Sequence, residues 1–458
     1  MIREKSFYKT LVRIAVPLVV YELISFCVQM LDTVMCGVLG DYAVSAVTVA
    51  GQPYFIFIVL VFGLTSGGSV IISQYYGKRD FAAIRKTMSV MFVTVLFSCL
   101  LFMLLCFVFP AQIMSIFAKD AFLISEGVRY LRIVVFSYLL SGICRCYTAA
   151  LNAKGNTAAG AVISVMAFLV NMAANYILIY GKLGMPAMGV AGAAGGTVAA
   201  RLFELAAVWV YFSKYEKEIG FTFRDLLHID RSLIPGYLKI STPIILDDLV
   251  WALGSSTQVA VIGNMNAAYV TSAGVSSVAS QAAMVFIYGI SRASSIVIGQ
   301  IIGEGRIEYA KKAGKTFLAI ALCTGIFASL FVLAVRNPVL AIYPNISASS
   351  RELAFRLIGV TAVIMLACGM ENTCVIGVLR GAGDTEFAFK ADAGCMWLIG
   401  IPAGMIGAFL LHLDVTAVYF LLRADVFVKI SICTVRILKG NYIRDLTASA
   451  QSGISAAD

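Results

Sequence analysis

The sequence predicts an all-α integral membrane protein with twelve transmembrane helices in two six-helix lobes. Three observations lead to this fold class: the composition, the spacing of the apolar runs and an internal repeat. Of the 458 residues, 60% are hydrophobic and only 13% are charged, and the mean hydropathy is +0.91. Soluble domains carry about 25% charged residues, so the composition excludes an ordinary soluble globular protein.

Twelve apolar runs follow one another along the chain. A run of about 20 residues spans the hydrocarbon core of a bilayer as an α-helix. The predicted helices lie near residues 11–35, 43–72, 87–109, 128–150, 158–181, 187–212, 236–262, 270–300, 316–336, 352–379, 386–411 and 413–438. The first run follows a basic stretch, but it is too long and too acidic for a signal peptide, so we predict that it is the first helix.

The 35 Lys and Arg residues are distributed unevenly between the connections. Most of them lie at the termini or in loops after even-numbered helices, including residues 78–86, 213–239 and 305–315. Cytoplasmic loops carry such an excess, so we expect both termini in the cytoplasm and the protein in the plasma membrane. This asymmetry explains most of the net charge of +10. It predicts contact with anionic membrane lipid and no binding of nucleic acid.

The chain contains an internal duplication. The aligned pairs, at shifts of 226 to 228 residues, are Pro17 with Pro243, residues 63–80 with residues 289–306, and LNAKGNT at 151–157 with LRGAGDT at 379–385. Each half then holds six helices. Because an even number of crossings returns the chain to the side where it started, the halves are related by a pseudo-two-fold axis along the membrane normal.

The duplication also predicts the domain organisation. We expect an N-lobe of helices one to six at residues 1–212, a cytoplasmic linker at 213–235, a C-lobe of helices seven to twelve at 236–440 and a polar cytoplasmic tail at 441–458. The linker is polar and of mixed charge, as expected of a tether between two moving lobes. Substrate sites of such repeat proteins lie between the halves.

Carboxylates interrupt the first and seventh helices at equivalent places. At 100° per residue, one stripe of the first helix carries Glu22, Ser25, Gln29 and Asp32. At the shift of 226 residues, three of these positions become Asp248, Ser255 and Gln258. A charged side chain that faces lipid costs at least about 2.5 kcal/mol, so the stripes predict a wet substrate cavity. Polar contacts that only join helices are the alternative interpretation.

Enzyme chemistry has little support in the sequence. The eleven cysteines contain no CxxC pair, which predicts small buried hydrophobes in a reduced chain. The two histidines, His228 and His412, lack any metal-ligand spacing. No P-loop or dinucleotide fingerprint occurs. We therefore expect no enzyme and no cofactor, and a monomer suffices for the predicted fold.

The order and spacing of several motifs resemble the multidrug and toxic compound extrusion (MATE) transporters, which belong to the multidrug, oligosaccharidyl-lipid and polysaccharide exporter group. The motifs are Pro17, DTVMCGVLG at 32–40, GLTSGG and QYYGKRD within 63–80, LNAKGNT, NMAANYILIYGKLGMPAMGVAGAAGGT at 171–197, PIILDDLVWALGSS at 243–256, GQIIGEGRIEYAKKA at 299–313 and LRGAGDT. The resemblance covers nearly the whole chain. It implies a V-shaped twelve-helix antiporter that exports small organic cations or drugs by alternating access, in exchange for H⁺ or Na⁺.

The resemblance also implies coupling residues in the N-lobe. The family's first-helix acid corresponds to Asp32, its fifth-helix pattern to Asn171 and Asn175, and a sixth-helix hydroxyl to Thr197. The family often has Asp where this chain has Asn175, so one carboxylate stands among neutral oxygens. This favours a proton, which needs a single titratable group. Na⁺ at Asp32, Asn171 and Asn175 stays open, because Glu22 could supply a second carboxylate.

Acids in the seventh and tenth helices of some family members correspond here to Asp248 and Glu371. Asp247 lies about 100° round the helix from Asp248, and symmetry with Glu22 favours Asp248 as the residue that faces the cavity. Glu371 has no cation within four residues. This spacing favours a function over a local ion pair.

The spacing of other charged residues predicts structural contacts. Arg201 and Glu204 have the i, i+3 spacing of a local salt pair. Asp392 lies two residues from Lys390, which favours a structural role for Asp392. Arg423 and Asp425 are expected to pair with other helices.

Two rival functions are open at this point. A lipid-linked saccharide flippase belongs to the same larger group, but a cavity for a pyrophosphate lipid should contain several Arg or Lys residues, and the mid-span charges are mostly acidic. An intramembrane prenyl transferase is the second rival. Its only support is the Asp247–Asp248 pair, because the repeat places no second aspartate cluster.

Overall fold

All secondary structure in the described part of the chain is helical. The structure is a computed structural model, and it describes residues 1–37, 41–227, 229–265, 267–343 and 346–448. Within these ranges it describes all side chains except those of residues 29, 32–34, 36, 37, 41–44, 46, 223, 227, 267, 268 and 270. No strand occurs in these ranges, in agreement with the predicted all-α class.

The helices follow the predicted order. The α-helices are α1 (Lys5–Gly37), α2 (Asp41–Lys78), α3 (Phe81–Val108), α4 (Pro110–Phe117), α5 (Ala121–Val134), α6 (Phe136–Ala153), α7 (Thr157–Tyr180), α8 (Val190–Lys214), α9 (Leu233–Gly263), α10 (Ala267–Gly303), α11 (Ile307–Ile342), α12 (Ala348–Asn372), α13 (Thr385–Cys395), α14 (Ile401–Met405), α15 (Val415–Leu421) and α16 (Asp425–Lys439). A 3₁₀ turn covers Phe223–Leu227, and π-helical stretches cover Thr373–Arg380, Met396–Gly400 and Ile406–Leu410.

Most predicted spans coincide with long helical segments. Within the described residues, ten such segments are long and apolar enough to cross a membrane, and α5 and α6, bent by 45°, form an eleventh candidate. The twelfth predicted span, residues 413–438, consists of the shorter helices α15 and α16. Every predicted run therefore has a helical counterpart, and the predicted helical membrane fold is confirmed.

Local sequence explains where several helices begin and end. Asp80 caps α3, because its carboxylate accepts the backbone N–H three residues later at 2.9 Å. Gly181 and Gly440 end α7 and α16 with φ of +65° and +74°, a conformation that glycine adopts without strain. Pro17 and Pro243 lie inside α1 and α9 at equivalent positions of the repeat.

The helices form two compact units. Unit 1 consists of Met1–Glu22 and Leu246–Asp458, and unit 2 consists of Leu23–Ile245. The division falls inside α1 and inside α9, so each unit contains the first part of one half of the repeat and the remainder of the other half. The predicted lobe boundaries at residues 212, 235 and 440 stay a prediction.

The same close helix contact occurs in both units. In unit 2, a Cβ added at Gly63 of α2 would lie 2.9 Å from Cα of Ile245 in α9. In unit 1, a Cβ added at Gly289 of α10 would lie 3.0 Å from Cα of Val19 in α1. The two glycines are equivalent at the shift of 226 residues, and so are their two partners. The duplication found in the sequence is therefore also a duplication of tertiary contacts.

The linker between the halves packs closely inside unit 2. Its contacts are Lys154 Nζ to Glu216 Oε1 at 2.8 Å, Arg85 Nη1 to the Ile219 carbonyl at 3.0 Å, Ser89 Oγ to the Asp225 carbonyl at 2.8 Å, Lys86 Nζ to Asp230 Oδ2 at 3.1 Å, and the stacked rings of Phe92 and Phe221 at 5.3 Å. Burial lowers the pKa of Lys154, but hydrogen bonds to Glu216 and Glu218 outweigh burial and raise the pKa above its ordinary value. The predicted tether is thus anchored to α3 and to the end of α6.

Candidate ion and substrate sites

The predicted oxygen ligands of the fifth and sixth spans lie together in unit 2. Asn171 and Asn175 are one turn apart on α7 and are 3% and 0% exposed, and Asn175 Nδ2 donates to Asn171 Oδ1 at 3.3 Å. Gly196 of α8 packs against this amide, since a Cβ there would lie 3.0 Å from Cγ of Asn175. Thr197 follows Gly196, and its hydroxyl donates to the Ala193 carbonyl at 3.1 Å. The structure brings these three predicted ligands to two adjacent helices.

Asp32 is the central predicted coupling residue. Its side chain, like that of Gln29, lies outside the described part of the structure, whereas the backbone of α1 continues as a helix through this position. One turn after Asp32, the carbonyl oxygen of Met35 accepts a hydrogen bond from the hydroxyl of Tyr180 at 3.0 Å. Tyr180 ends α7, so this part of α1 packs on the helix that carries the predicted asparagine ligands.

Glu22 is paired with a cation inside unit 1. Its carboxylate contacts the guanidinium of Arg292 in α10, and the two side chains are 13% and 28% exposed. The predicted stripe on α1 is divided between the compact units, because Glu22 belongs to unit 1 and Asp32 to unit 2. The role of Glu22 as a second carboxylate for Na⁺ stays a prediction.

Arg380 binds both adjacent acids of the seventh span. Its Nη2 lies 2.6 Å from Asp247 Oδ2 and 3.0 Å from Asp248 Oδ1. Arg380 and Asp247 are almost completely buried, whereas the Asp248 side chain is 20% exposed. One guanidinium serves two carboxylates, so the group carries a net charge of −1 when both acids are ionised. Asp248 is the more exposed acid, in keeping with the prediction that it, and not Asp247, faces a cavity.

Lys429 of α16 is surrounded by three carboxylates in unit 1. Its Nζ lies 2.5 Å from Glu371 Oε1 and 3.4 Å from Asp425 Oδ2, and it also contacts Asp392 Oδ1. Lys429 and Asp425 are 1% exposed. Glu371 lacks a cation nearby in sequence, and the structure supplies one from 58 residues further along the chain. Asp425 pairs within its own helix, but the other two acids come from α12 and α13.

The nearby lysine that favoured a structural role for Asp392 has another partner. Lys390 Nζ lies 2.6 Å from Glu386 Oε1 on the exposed face of α13. Asp392 therefore takes its cation from α16 and not from its own helix. By contrast, the predicted local pair of Arg201 and Glu204 is confirmed, at 2.5 Å.

The polar positions that follow Asp248 on α9 differ in their surroundings. Gln258 is 6% exposed, and its Nε2 donates to the Leu422 carbonyl at 2.8 Å. This contact ties α9 to the turn between α15 and α16. Ser255 is partly exposed. Gln258 thus has a structural partner, and its proposed place in a substrate cavity stays a prediction.

Sequence reasoning located the buried acids and missed the cations that hold them. Arg380 lies 133 residues from Asp247, and Lys429 lies 58 residues from Glu371. Neither separation leaves a periodic signal in the sequence. A signal did exist, because Arg380 and Lys429 border or interrupt apolar runs, where a cation is costly unless an acid binds it.

The fold and these charges define a polytopic α-helical membrane protein with ionised groups held between its helices. The MatE family model matches residues 17–177 and 243–406, which together make up most of the chain. The two matched segments lie in the two halves of the internal repeat. The chain therefore belongs to the MatE family, the multidrug and toxic compound extrusion family that its motifs resemble, and is a multi-pass membrane transporter.

Curated relatives match most of the chain at low identity. The "Uncharacterized transporter YisQ" of Bacillus subtilis (strain 168) is 25% identical over 409 residues, which cover 87% of each chain. The "Probable multidrug resistance protein NorM" of Pseudomonas aeruginosa is 25% identical over 413 residues, which cover 88% of this chain and 83% of NorM. Both alignments include the two halves of the repeat, since each extends over more than four fifths of the chain.

Solved structures of MATE proteins share the fold. A mutant of the Vibrio cholerae MATE transporter VcmN aligns with a TM-score of 0.87 and 16% identity, over 96% of this chain and 98% of VcmN. The eukaryotic MATE transporter AtDTX14 aligns with a TM-score of 0.85 and 16% identity, over 98% and 99% of the two chains. At this identity the likeness shows the fold alone.

Proposed function

We propose that this MATE family transporter is a secondary active antiporter that exports small organic cations or drugs by alternating access, in exchange for H⁺ or Na⁺. The observation that carries the proposal is the sign of the buried charge in unit 1. The acids are Glu22, Asp247, Asp248, Glu371, Asp392 and Asp425, and the cations are Arg292, Arg380, Arg423 and Lys429. A surplus of acids inside a membrane protein favours cationic cargo and cationic coupling ions.

The coupling ion is proposed to bind at Asp32, with Asn171, Asn175 and Thr197 as neutral neighbours. The support is the packing of α1 on α7 at Met35, one turn from Asp32, together with the burial of both asparagines. A proton needs only the Asp32 carboxylate, whereas Na⁺ needs several oxygens at once. Proton coupling is the form that we favour, because position 175 is an amide in this chain.

The membrane potential supplies the driving force in this scheme. Each proton that enters across 100 mV contributes about 2.3 kcal/mol, which sustains a roughly 40-fold concentration of a neutral cargo before any pH gradient is counted. Protonation of Asp32 from outside neutralises a charge in a poorly hydrated place and releases the bound cargo. We place the protein in the plasma membrane, with both termini in the cytoplasm, in contact with anionic lipid and active as a monomer.

A lipid-linked saccharide flippase is the alternative. Such a protein needs cations that are free to bind phosphates, and the two central buried arginines are engaged by acids: Arg292 contacts Glu22, and Arg380 contacts Asp247 and Asp248. The charge in this region therefore favours cationic cargo over a pyrophosphate lipid.

Reconstitution into liposomes tests the proposal. Efflux of a fluorescent organic cation is followed under an imposed pH gradient and, separately, under a Na⁺ gradient. We expect one gradient to drive efflux in the wild-type protein, and we expect Asp32→Asn to reduce efflux to the rate of empty liposomes. The matched control is Asp120→Asn, since Asp120 only caps α5 at 2.8 Å and an Asn keeps that cap. Full efflux by Asp32→Asn would refute the assignment of the coupling site, and binding of lipid-linked phosphates without cation efflux would favour the flippase.

A further inference from the structure

A buried group of side chains in unit 1 lacks one positive charge. The Lys429 cluster comprises Glu371, Asp392, Arg423, Asp425 and Lys429, from α12, α13, the turn before α16 and α16 itself. Lys429 contacts all three carboxylates, and Arg423 acts electrostatically on Glu371 and Asp425. Three carboxylates and two cations leave a net charge of −1 when every group is ionised. A net charge in such a place is strongly disfavoured.

The surroundings of the Lys429 cluster are neutral or acidic. The other titratable groups that act on it are Cys368, Cys374, Cys395, Cys433, Tyr288, Tyr419 and Asp247. The Arg380 guanidinium, which pairs with Asp247, serves two acids of its own. Arg380 is therefore not available to neutralise the cluster.

The geometry of the cluster leaves room for a proton. The lysine ammonium occupies the place between the three carboxylates where a metal ion or a cationic cargo group would otherwise lie. Oxygens of Glu371 and Asp392 contact the same nitrogen, so they lie close to each other. A proton on either acid removes the repulsion between them without displacing Lys429.

Asp425 provides a second and independent indication of a bound proton. Its side chain is 1% exposed, and its Oδ1 has no hydrogen-bond partner among the described residues. The same oxygen faces Gly400, where an added Cβ would lie 2.7 Å from it. A buried carboxylate oxygen without a donor is costly when charged, and protonation of the carboxyl group removes most of that cost.

We propose that the Lys429 cluster binds one proton, shared between Glu371, Asp392 and Asp425, and that it is a second proton site in addition to Asp32. The binding of this proton follows from the charges and contacts alone. Its exchange during transport rests on the proposed function: one proton taken up from outside is released inside, and Lys429 keeps the site closed to cationic cargo.

Infrared spectroscopy of the full-length protein in lipid nanodiscs tests the proton directly. The carbonyl band of protonated carboxylic acids is measured at neutral pH in H₂O and D₂O. We expect Glu371→Gln, Asp392→Asn and Asp425→Asn each to lose the intensity of one carboxylic acid, because each variant leaves two acids and two cations. We expect Lys429→Met to gain the intensity of one further carboxylic acid.

Asp384→Asn is the matched control for this measurement. Asp384 is also buried in unit 1, but Arg436 and Arg444 pair with it at 3.0 and 3.5 Å, so its carboxylate stays ionised. The proposal is overturned if the three acid variants retain the wild-type band, or if Na⁺ and not a proton changes the carboxylate bands of the cluster. The three acid variants keep the shape of the side chains, so the test stands even if Lys429→Met does not fold. The spectra require no transport, so this result is independent of the outcome for Asp32→Asn in liposomes.

Discussion

Replacing Gly63 or Gly289 with alanine tests the helix contact that the two halves share. The added methyl carbon would lie 2.9 Å from Cα of Ile245 in the first case and 3.0 Å from Cα of Val19 in the second. Carbon atoms pack at about 3.5–4.0 Å, so each helix pair has to separate by roughly 0.5–1 Å. Overpacking of this kind costs about 1–3 kcal/mol. Because the two contacts are equivalent in the repeat, we expect Gly63→Ala and Gly289→Ala to be destabilised by similar amounts.

Gly51 and Gly274 provide controls on the same two helices. A Cβ at either position would meet nothing within 4 Å, so Gly51→Ala and Gly274→Ala should be neutral or stabilised by up to about 1 kcal/mol. Thermal unfolding of the purified protein in detergent, followed by tryptophan fluorescence, compares the four variants. Unfolding of Gly63→Ala and Gly289→Ala at the temperature of their controls would refute the close contact. A loss in only one of them would refute the equivalence of the two halves.

Two further predictions concern the ion pairs. Removing the guanidinium with Arg380→Met should destabilise the protein by about 3–5 kcal/mol, because two buried carboxylates lose their cation; addition of Asp247→Asn should restore part of the loss, and Arg356→Met, which removes an exposed pair, should cost less than about 1 kcal/mol. Lys154→Met should cost about 1–3 kcal/mol at neutral pH, because Glu216 keeps its buried place without a cation. The pKa of Lys154 is raised in the folded state, so its contribution is fully present below the ordinary value of 10.5 and disappears as the pH rises through the folded-state pKa; the unfolding temperatures of the wild type and Lys154→Met should therefore converge only in strongly alkaline solution, and a constant difference would contradict this assignment.

The spans were predictable because the bilayer selects a simple pattern. The run at 316–336 was found at the centre of α11, which extends in both directions to Ile307–Ile342. Hydropathy reports the part of a helix that lies in hydrocarbon, and a helix satisfies its own backbone beyond that part. The break between α5 and α6 at Val135 was not predictable, since neither proline nor glycine stands there. Its cause is tertiary packing, which leaves no mark on the hydropathy profile.

The candidate sites were predictable only in part, and the reason is the same for each of them. An acid inside an apolar run is conspicuous, so Glu22, Asp248 and Glu371 could be found from sequence. Their partners are determined by which helices touch, and helix contacts between distant segments are not written in local periodicity. The interpretation of Glu371 shows the consequence: the absence of a cation within four residues said nothing about Lys429, which belongs to another helix.

The repeat shows which feature of these charges is constrained. Glu22 and Asp248 are near-equivalent acids, and each contacts an arginine, but Arg292 aligns with Ser66 and Arg380 aligns with Asn152 in the first half. The two pairs therefore arose separately, as expected if burial in the membrane demands compensation of charge and not a particular partner. Where compensation is complete, a buried acid has no reason to titrate near neutral pH. Incomplete compensation in unit 1 thus directs the search for exchangeable protons to the acids around Arg380 and Lys429, each group being one positive charge short.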